Sequence, residues 1–257
     1  MSERFETIIF ERKGGVARLT LNHPPLNILT IAMMREINEA LKGLEGATDI
    51  KVLVIEAQGK AFSAGVDIKD HTPDKVEEMI EVFHAIFRRL LALEIPTLAV
   101  VKGACLGGGC ELAAFCDLVL ASPEATFGQP EIRVGVFPPL AALLFPYLIG
   151  QKKAFELLLT GEIIDAQEAE RIGLINKVVP GEELEEAVAQ MTAQLAGLSG
   201  IALRLTKRAI LRGAHLPFEE ALERVERLDL EELMDTEDAK EGLQAFLEKR
   251  KPLWRNR

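Results

Sequence analysis

Two glutamates stand where they can act as a pair of acid and base. Glu111 lies in the first turn of a predicted short helix, and Glu131 follows in the segment 127–131, after the next predicted strand has returned to the same edge of the sheet. Two carboxylates that face one small cleft can hold a water molecule and divide the roles of general acid and general base. The spacing alone leaves a second interpretation open, in which Glu111 stabilises its helix dipole and both glutamates are solvated.

A glycine-rich turn at 103–109 precedes Glu111 and ends in three consecutive glycines. Such a turn lets backbone N–H groups approach a ligand closely at a helix N-terminus. A phosphate-binding loop would continue with Lys after Gly109, where this chain has Cys110, and a dinucleotide fingerprint would need Gly or Ala in place of Leu112. The turn therefore favours either a different oxygen anion as its ligand or a purely structural role in packing a helix against a strand.

Other reactive side chains give no recognisable site. Ser63 lacks the first glycine of a nucleophile elbow, because Ala61 occupies that position, and this argues against a serine hydrolase. The three cysteines fall within 105–116, an odd number without zinc-type pairs, which predicts reduced, buried thiols. The four histidines show no paired spacing, so no metal site is expected: His23, His71, His84 and His215.

The composition limits the classes of partner. The 257 residues include 30 Lys and Arg against 40 Asp and Glu, for a net charge of −10, which disfavours nucleic acid. A run of five basic residues at 249–257 is either a solvated tail or a contact for the phosphates of a ligand. The N-terminus resembles no targeting peptide, and the longest apolar stretch, 138–149, is too short to span a membrane. We expect a cytoplasmic protein with no membrane contact.

The elements that must position these residues alternate between strand and helix. Strands are predicted at 7–11, 16–22, 51–57, 97–102, 117–121 and 174–179. Helices are predicted at 31–44, 73–93, from Cys110, and then at 139–149, 152–160, 166–172, 183–198, 201–213, 217–233 and 236–250. This order predicts an α/β fold with right-handed crossovers, divided into a core at 1–195 and a helical region at 196–257.

Three segments together resemble the crotonase (enoyl-CoA hydratase/isomerase) superfamily in their order and spacing: 62–67, 103–112 and 126–131. The resemblance extends over essentially the whole chain, from 21–27 to 246–250. It implies a spiral of β-β-α turns followed by helices that build a homotrimer, or a homohexamer from two trimers. It also implies an acyl-coenzyme A thioester as substrate, with no further cofactor.

The resemblance assigns roles to individual residues. The backbone N–H groups of Ala64 and Gly108 would form an oxyanion hole around the thioester oxygen, where each donor contributes roughly 10²–10³ in rate. Phe246 and Lys249 resemble the segment that contacts coenzyme A, from the same or a neighbouring subunit. The residues expected to line the substrate channel are Ala64, Gly65, Val66 and Asp67.

The presence of both carboxylates is typical of the hydratases in this superfamily. In that reaction Glu111 would orient and activate a water that adds to C3 of an enoyl thioester, and Glu131 would exchange a proton with C2. Two alternatives remain open. One is a double-bond isomerase with Glu131 as its single proton shuttle, and the other is a catalytically silent homologue that binds acyl-CoA or RNA.

One segment departs from the usual pattern. Typical hydratases continue after Glu131 with the glycine-rich stretch P-G-x-G-G-T-Q-R, whereas residues 133–145 of this chain are bulkier and lack those glycines. Together with 22–30, this segment resembles the branch of cyclohexa-1,5-diene-1-carbonyl-CoA hydratases. The resemblance implies a cyclic acyl group in place of a straight chain.

Overall fold

The computed structural model describes residues 5–214 and 216–257, so His215 and the first four residues lie outside the described part. The strands within it are β1 Ile8–Lys13, β2 Val16–Leu21, β3 Val52–Ala57, β4 Ala61–Ser63, β5 Thr97–Val101, β6 Ala104–Leu106, β7 Leu118–Ala121, β8 Thr126–Gly128, β9 Ile163–Asp165 and β10 Lys177–Val178. The helices are α1 Ile31–Lys42, α2 Val76–Leu93, α3 Gly108–Phe115, α4 Pro139–Leu148, α5 Gln151–Thr160, α6 Ala166–Arg171, α7 Leu184–Ala196, α8 Gly200–Gly213, α9 Phe218–Arg227 and α10 Glu237–Leu247.

The strands form two sheets. The larger has the order β1-β2-β3-β5-β7-β10, with an antiparallel β1–β2 hairpin and parallel pairing from β2 onward. The smaller has the order β4-β6-β8-β9, and only its last pair is antiparallel. The chain passes from the larger sheet to the smaller and then into a helix in β3-β4-α2 and again in β5-β6-α3. These repeats confirm the predicted spiral of β-β-α turns.

The smaller sheet was not predicted. No strand was predicted within 58–67, and 103–109 was expected to be a turn, yet these segments contain β4 and β6. Each of these strands has three residues, too few to show a period of two in the sequence. The strands of the smaller sheet nevertheless hold the two segments, 62–67 and 103–109, from which the sequence predicts the oxyanion hole.

The core is built from the apolar faces of the strands and helices. Strand β2 buries Ala17, Leu19 and Leu21 completely. Helix α2 buries Phe83, Phe87 and Leu90, whereas Ile80 is 40% exposed, because Met79 and Ile86 occupy the inward face. The three cysteines are buried and free, as expected.

The C-terminal helices pack directly on the α/β core. The Arg204 guanidinium of α8 donates to the carbonyls of Ala47, Ile50 and Leu93, and Lys207 donates to the Ile95 carbonyl. These bonds cross the predicted division at residue 195, which stays a prediction. The predicted helix 217–233 is α9 followed by a π-helical segment, Leu228–Leu233. Within the described residues, no helix has the length and apolar character that crossing a membrane requires.

Candidate active site

The glycine turn is shaped by close approach of other segments. Gly107 has φ +52°, and a Cβ built there would lie 2.5 Å from Oε1 of Glu131, so a side chain at 107 would displace that carboxylate. A Cβ on Gly108 would lie 2.7 Å from Cγ2 of Val66. The turn therefore needs glycine because the 62–67 loop and Glu131 both press against its backbone.

Glu111 is anchored at the start of a neighbouring helix. It lies in the first turn of α3 and is 2% exposed, and its Oε1 accepts a hydrogen bond of 2.8 Å from the Ala141 N–H of α4. The pKa of Glu111 is raised to about 7, because burial and the charge of Glu131 together outweigh the opposing hydrogen bonds from the Ala141 and Leu140 N–H groups. At neutral pH this carboxyl can therefore both accept and release a proton.

Glu131 approaches the same space from a short 3₁₀ segment, Pro130–Val134. Burial raises its pKa, while its own backbone N–H and the charge of His71 lower it. The structure thus brings the two predicted carboxylates within electrostatic reach of each other. Their mutual repulsion, added to burial, favours a site that keeps one proton between two carboxyl groups.

Two further polar residues at this site were missed from the sequence. Gln129 is completely buried, and with its NH₂ toward Glu131 it donates to both carboxylate oxygens at 3.2 and 3.3 Å. His71 follows the 3₁₀ segment Ile68–Asp70, with Nδ1 at 3.0 Å from the Asp67 carbonyl. Gln129 could have been suspected from its place two residues before Glu131. His71 was considered only as a metal ligand, and nothing in the local sequence indicates its proximity to Glu131.

The predicted oxyanion hole needs one correction. The Ala64 N–H donates to the Leu26 carbonyl at 2.9 Å, so the prediction that it binds the thioester oxygen is wrong. Leu29 donates to the Gly65 carbonyl and accepts from the Asp67 N–H, which turns the intervening N–H of Val66 away from Leu29. Across the described chain, neither the Val66 N–H nor the Gly108 N–H has an acceptor.

These two free N–H groups lie on neighbouring residues in space. Cγ2 of Val66 packs against Gly108, and a Cβ built on Gly65 would be 3.6 Å from the Gly108 nitrogen. Two unpaired donors beside a pair of carboxylates can bind and polarise a carbonyl oxygen. Identifying Val66 required the pairing with Leu29, which the sequence does not show.

The basic C-terminal segment is folded back onto the helices, while its five basic side chains stay exposed to solvent. Trp254 Nε1 donates to the Gly197 carbonyl at 2.9 Å, and Arg250 pairs with Glu241 and Glu248. Phe246 is 83% exposed near the end of α10, followed by exposed Lys249. Contact of Phe246 and Lys249 with coenzyme A stays a prediction.

Comparison with known proteins supports the same interpretation. A family model described as enoyl-CoA hydratase/isomerase matches residues 11–257. The chain is 41% identical over 247 residues to a cyclohexa-1,5-dienecarbonyl-CoA hydratase from Thauera aromatica, covering 96% of this chain and 95% of that protein. It is 37% identical over 253 residues to a crotonyl-CoA hydratase from Syntrophomonas wolfei, covering 96% and 97%.

Solved structures agree with the architecture. The crystal structure of an enoyl-CoA hydratase from Bacillus anthracis matches with a TM-score of 0.93 and 31% identity, covering 98% of this chain and all of that one. The chain belongs to the enoyl-CoA hydratase/isomerase family, and its fold is the crotonase fold.

Proposed function

We propose that the protein adds water across the C=C bond of an enoyl- or dienoyl-coenzyme A thioester. It is an acyl-CoA hydratase, a hydro-lyase. The observation that carries this function is the placement of one buried and one half-buried carboxylate, Glu111 and Glu131, both with raised pKa values, beside two unpaired N–H groups. The thioester oxygen binds the N–H groups of Val66 and Gly108, and this polarises the conjugated double bond toward attack at C3.

The proton balance of the site fits this reaction. Ionised Glu111 takes a proton from the attacking water as the C3–O bond forms, while protonated Glu131 delivers its proton to C2. The reaction leaves the single proton on Glu111, and its exchange back to Glu131 restores the starting state. Gln129 and His71 lie close enough to Glu131 to influence its ionisation.

For the acyl group we favour a cyclic diene, cyclohexa-1,5-diene-1-carbonyl-CoA. The 41% identical relative carries that name. Relatives named as an enoyl-CoA hydratase and a crotonyl-CoA hydratase are nearly as similar to this chain, so identity alone does not select the acyl group. The second support for a cyclic acyl group is the bulky 133–145 segment.

The experiment is a substrate panel with the purified protein. We expect faster hydration of the cyclic diene thioester than of crotonyl-CoA, seen as loss of conjugated absorbance and a mass gain of one water. Fast hydration of crotonyl-CoA alone would contradict the cyclic substrate but retain the hydratase. A shifted double bond without added water would indicate the isomerase, and an unchanged thioester the silent homologue.

Variants of the two carboxylates test the roles. E111Q and E131Q keep the side-chain shape but remove the base and the acid, so kcat should fall by roughly 10²–10⁴ in each. Circular dichroism would establish that both variants fold. Retained turnover in both would refute the mechanism.

For assembly and location we propose a homotrimer or homohexamer in the cytoplasm. The helical region exposes large apolar side chains that a second copy could cover: Phe218, Leu230, Phe246, Leu247 and Leu253. Three free cysteines fit a reducing compartment. Light scattering during size-exclusion chromatography would test the assembly, with a stable monomer as the contradicting result.

A further inference from the structure

The start of helix α4 has an unusual set of hydrogen-bond donors. The first four N–H groups of an α-helix have no partner within the helix. In α4 the first two of these positions are Pro138 and Pro139, which carry no N–H at all. The remaining two are Leu140 and Ala141: the Ala141 N–H donates to Oε1 of Glu111 at 2.8 Å, and the Leu140 N–H is the weaker second contact, which also lowers the pKa of this carboxyl. From Ala142, which donates to the Pro138 carbonyl at 3.0 Å, the bonding is helical.

Glu111 thus caps α4 from another helix and receives every free donor of its first turn. A carboxylate at a helix N-terminus is stabilised by those N–H groups and by the helix dipole, which lowers its pKa. Each further donor would lower it more. A residue with an N–H at position 139 would leave one more donor of this first turn without a partner in the helix, next to the donors that face Glu111.

We propose that Pro139 is a positioning residue for the hydration reaction, which starts α4 in the correct place while withholding a hydrogen bond from Glu111. Its fixed φ suits the first position of a helix, so α4 begins without an N–H at this point. Glu111 is held in place by two donors and stays a strong enough base to deprotonate water. The inference rests on the proposed role of Glu111.

The other titratable groups near Glu111 do not change the number of hydrogen bonds that this carboxyl accepts. Glu131 faces it from the 3₁₀ segment, and His71 acts on Glu131 in turn. The neighbouring thiols, Cys110 on α3 and Cys105 on β6, are both buried, and burial raises the pKa of Cys105 well above its usual value, so that thiol stays neutral. In contrast, a single substitution in α4 can change the number of N–H groups that donate to Glu111.

The test is the pH dependence of hydration in P139A. Because Glu111 must be ionised and Glu131 protonated, kcat is limited on both sides of its pH optimum, and an added donor should move the limb that reports Glu111 to lower pH by roughly one unit. We expect the kcat at the optimum to fall about threefold as the base weakens, with KM nearly unchanged. P146A is the matched control, because Pro146 lies inside the same helix, away from its N-terminus, and should leave the limb in place.

Two outcomes would overturn the proposal: a pH profile of P139A in which both limbs coincide with those of the wild type, or a loss of kcat and thermal stability with no shift of either limb. P139G adds the same N–H, so it must shift the limb too, and it replaces P139A should that variant not fold. E111Q distinguishes a failure of the proposed function of Glu111 from a failure of the proposed role of Pro139. If E111Q hydrates the substrate normally, the proposed function of Glu111 fails, whereas an inactive E111Q with an unshifted P139A removes only the role of Pro139.

Discussion

Two opposing influences act on the ionisation of Glu111. It is almost completely buried, and yet it accepts main-chain hydrogen bonds that favour its charge. Burial is the larger effect, so its pKa rises to about 7. The balance makes this carboxyl sensitive to small changes in its surroundings, and the residue-scale predictions follow from it.

The pH profile of kcat should be bell-shaped. Activity falls at low pH, where both carboxyls are protonated, and at high pH, where the pair has lost the one proton that the reaction needs; burial raises the pKa of both, that of Glu111 to about 7, so the optimum lies above the usual range of a carboxyl. Initial rates across pH 5–10, with enzyme stability checked at each pH, would measure both limbs. A flat profile through neutral pH would contradict the raised pKa of Glu111.

Substitution of Gly108 should damage the oxyanion hole. In G108A the added Cβ would come within 2.7 Å of Val66 Cγ2 and 3.0 Å of Phe83 Cζ, which forces apart the two N–H donors. We expect kcat to fall roughly 10²-fold or more. G181A is the control, because a Cβ there meets nothing closer than 3.9 Å, and equal activity of the two variants would argue against this oxyanion hole.

At the scale of elements, the site is assembled where the small sheet meets the first turns of α3 and α4. The motifs around Glu111 and Glu131 could be found in the sequence because their residue types and spacing are local. The choice of Val66 over Ala64 depends on pairing with Leu29, and the proximity of His71 to Glu131 depends on how a surface segment folds. Such long-range relations leave no periodic signal in one sequence, and neither do three-residue strands.

The attachment of α8 to the core is also testable. Lys207 donates to Asp117 at 2.7 Å and to the Ile95 carbonyl at 3.0 Å, and its side chain is 9% exposed. Since K207M leaves a partly buried carboxylate unpaired, it should lower the free energy of unfolding by about 2 kcal/mol. Urea unfolding would measure this, with R224M, which breaks an exposed pair, as the control. Equal stability of the two variants would contradict a structural role for Lys207.

At the scale of the whole molecule, the folded C-terminal segment leaves Lys249 and Lys251 as the basic residues there without a carboxylate partner, among the residues described. If Lys249 contacts the phosphates of coenzyme A, K249A should raise KM severalfold, increasingly at low salt, with kcat unchanged. K240A provides a control, because Lys240 lies near the start of α10, the helix that precedes Lys249, and donates a hydrogen bond to the Asp235 carbonyl. Equal KM values for the wild type and K249A would remove Lys249 from the substrate contacts.

The space at Gly107 has a consequence for how this sequence can diverge. The carboxylate of Glu131 occupies the place that a side chain at 107 would fill, so the two positions constrain each other. A lineage that loses the acid at 131 is released from one of the restraints on 107, whereas one that gains a side chain at 107 must move or lose the acid. Among descendants of this chain, a residue other than glycine at 107 would therefore mark a protein in which the acid at 131 has been repositioned or lost.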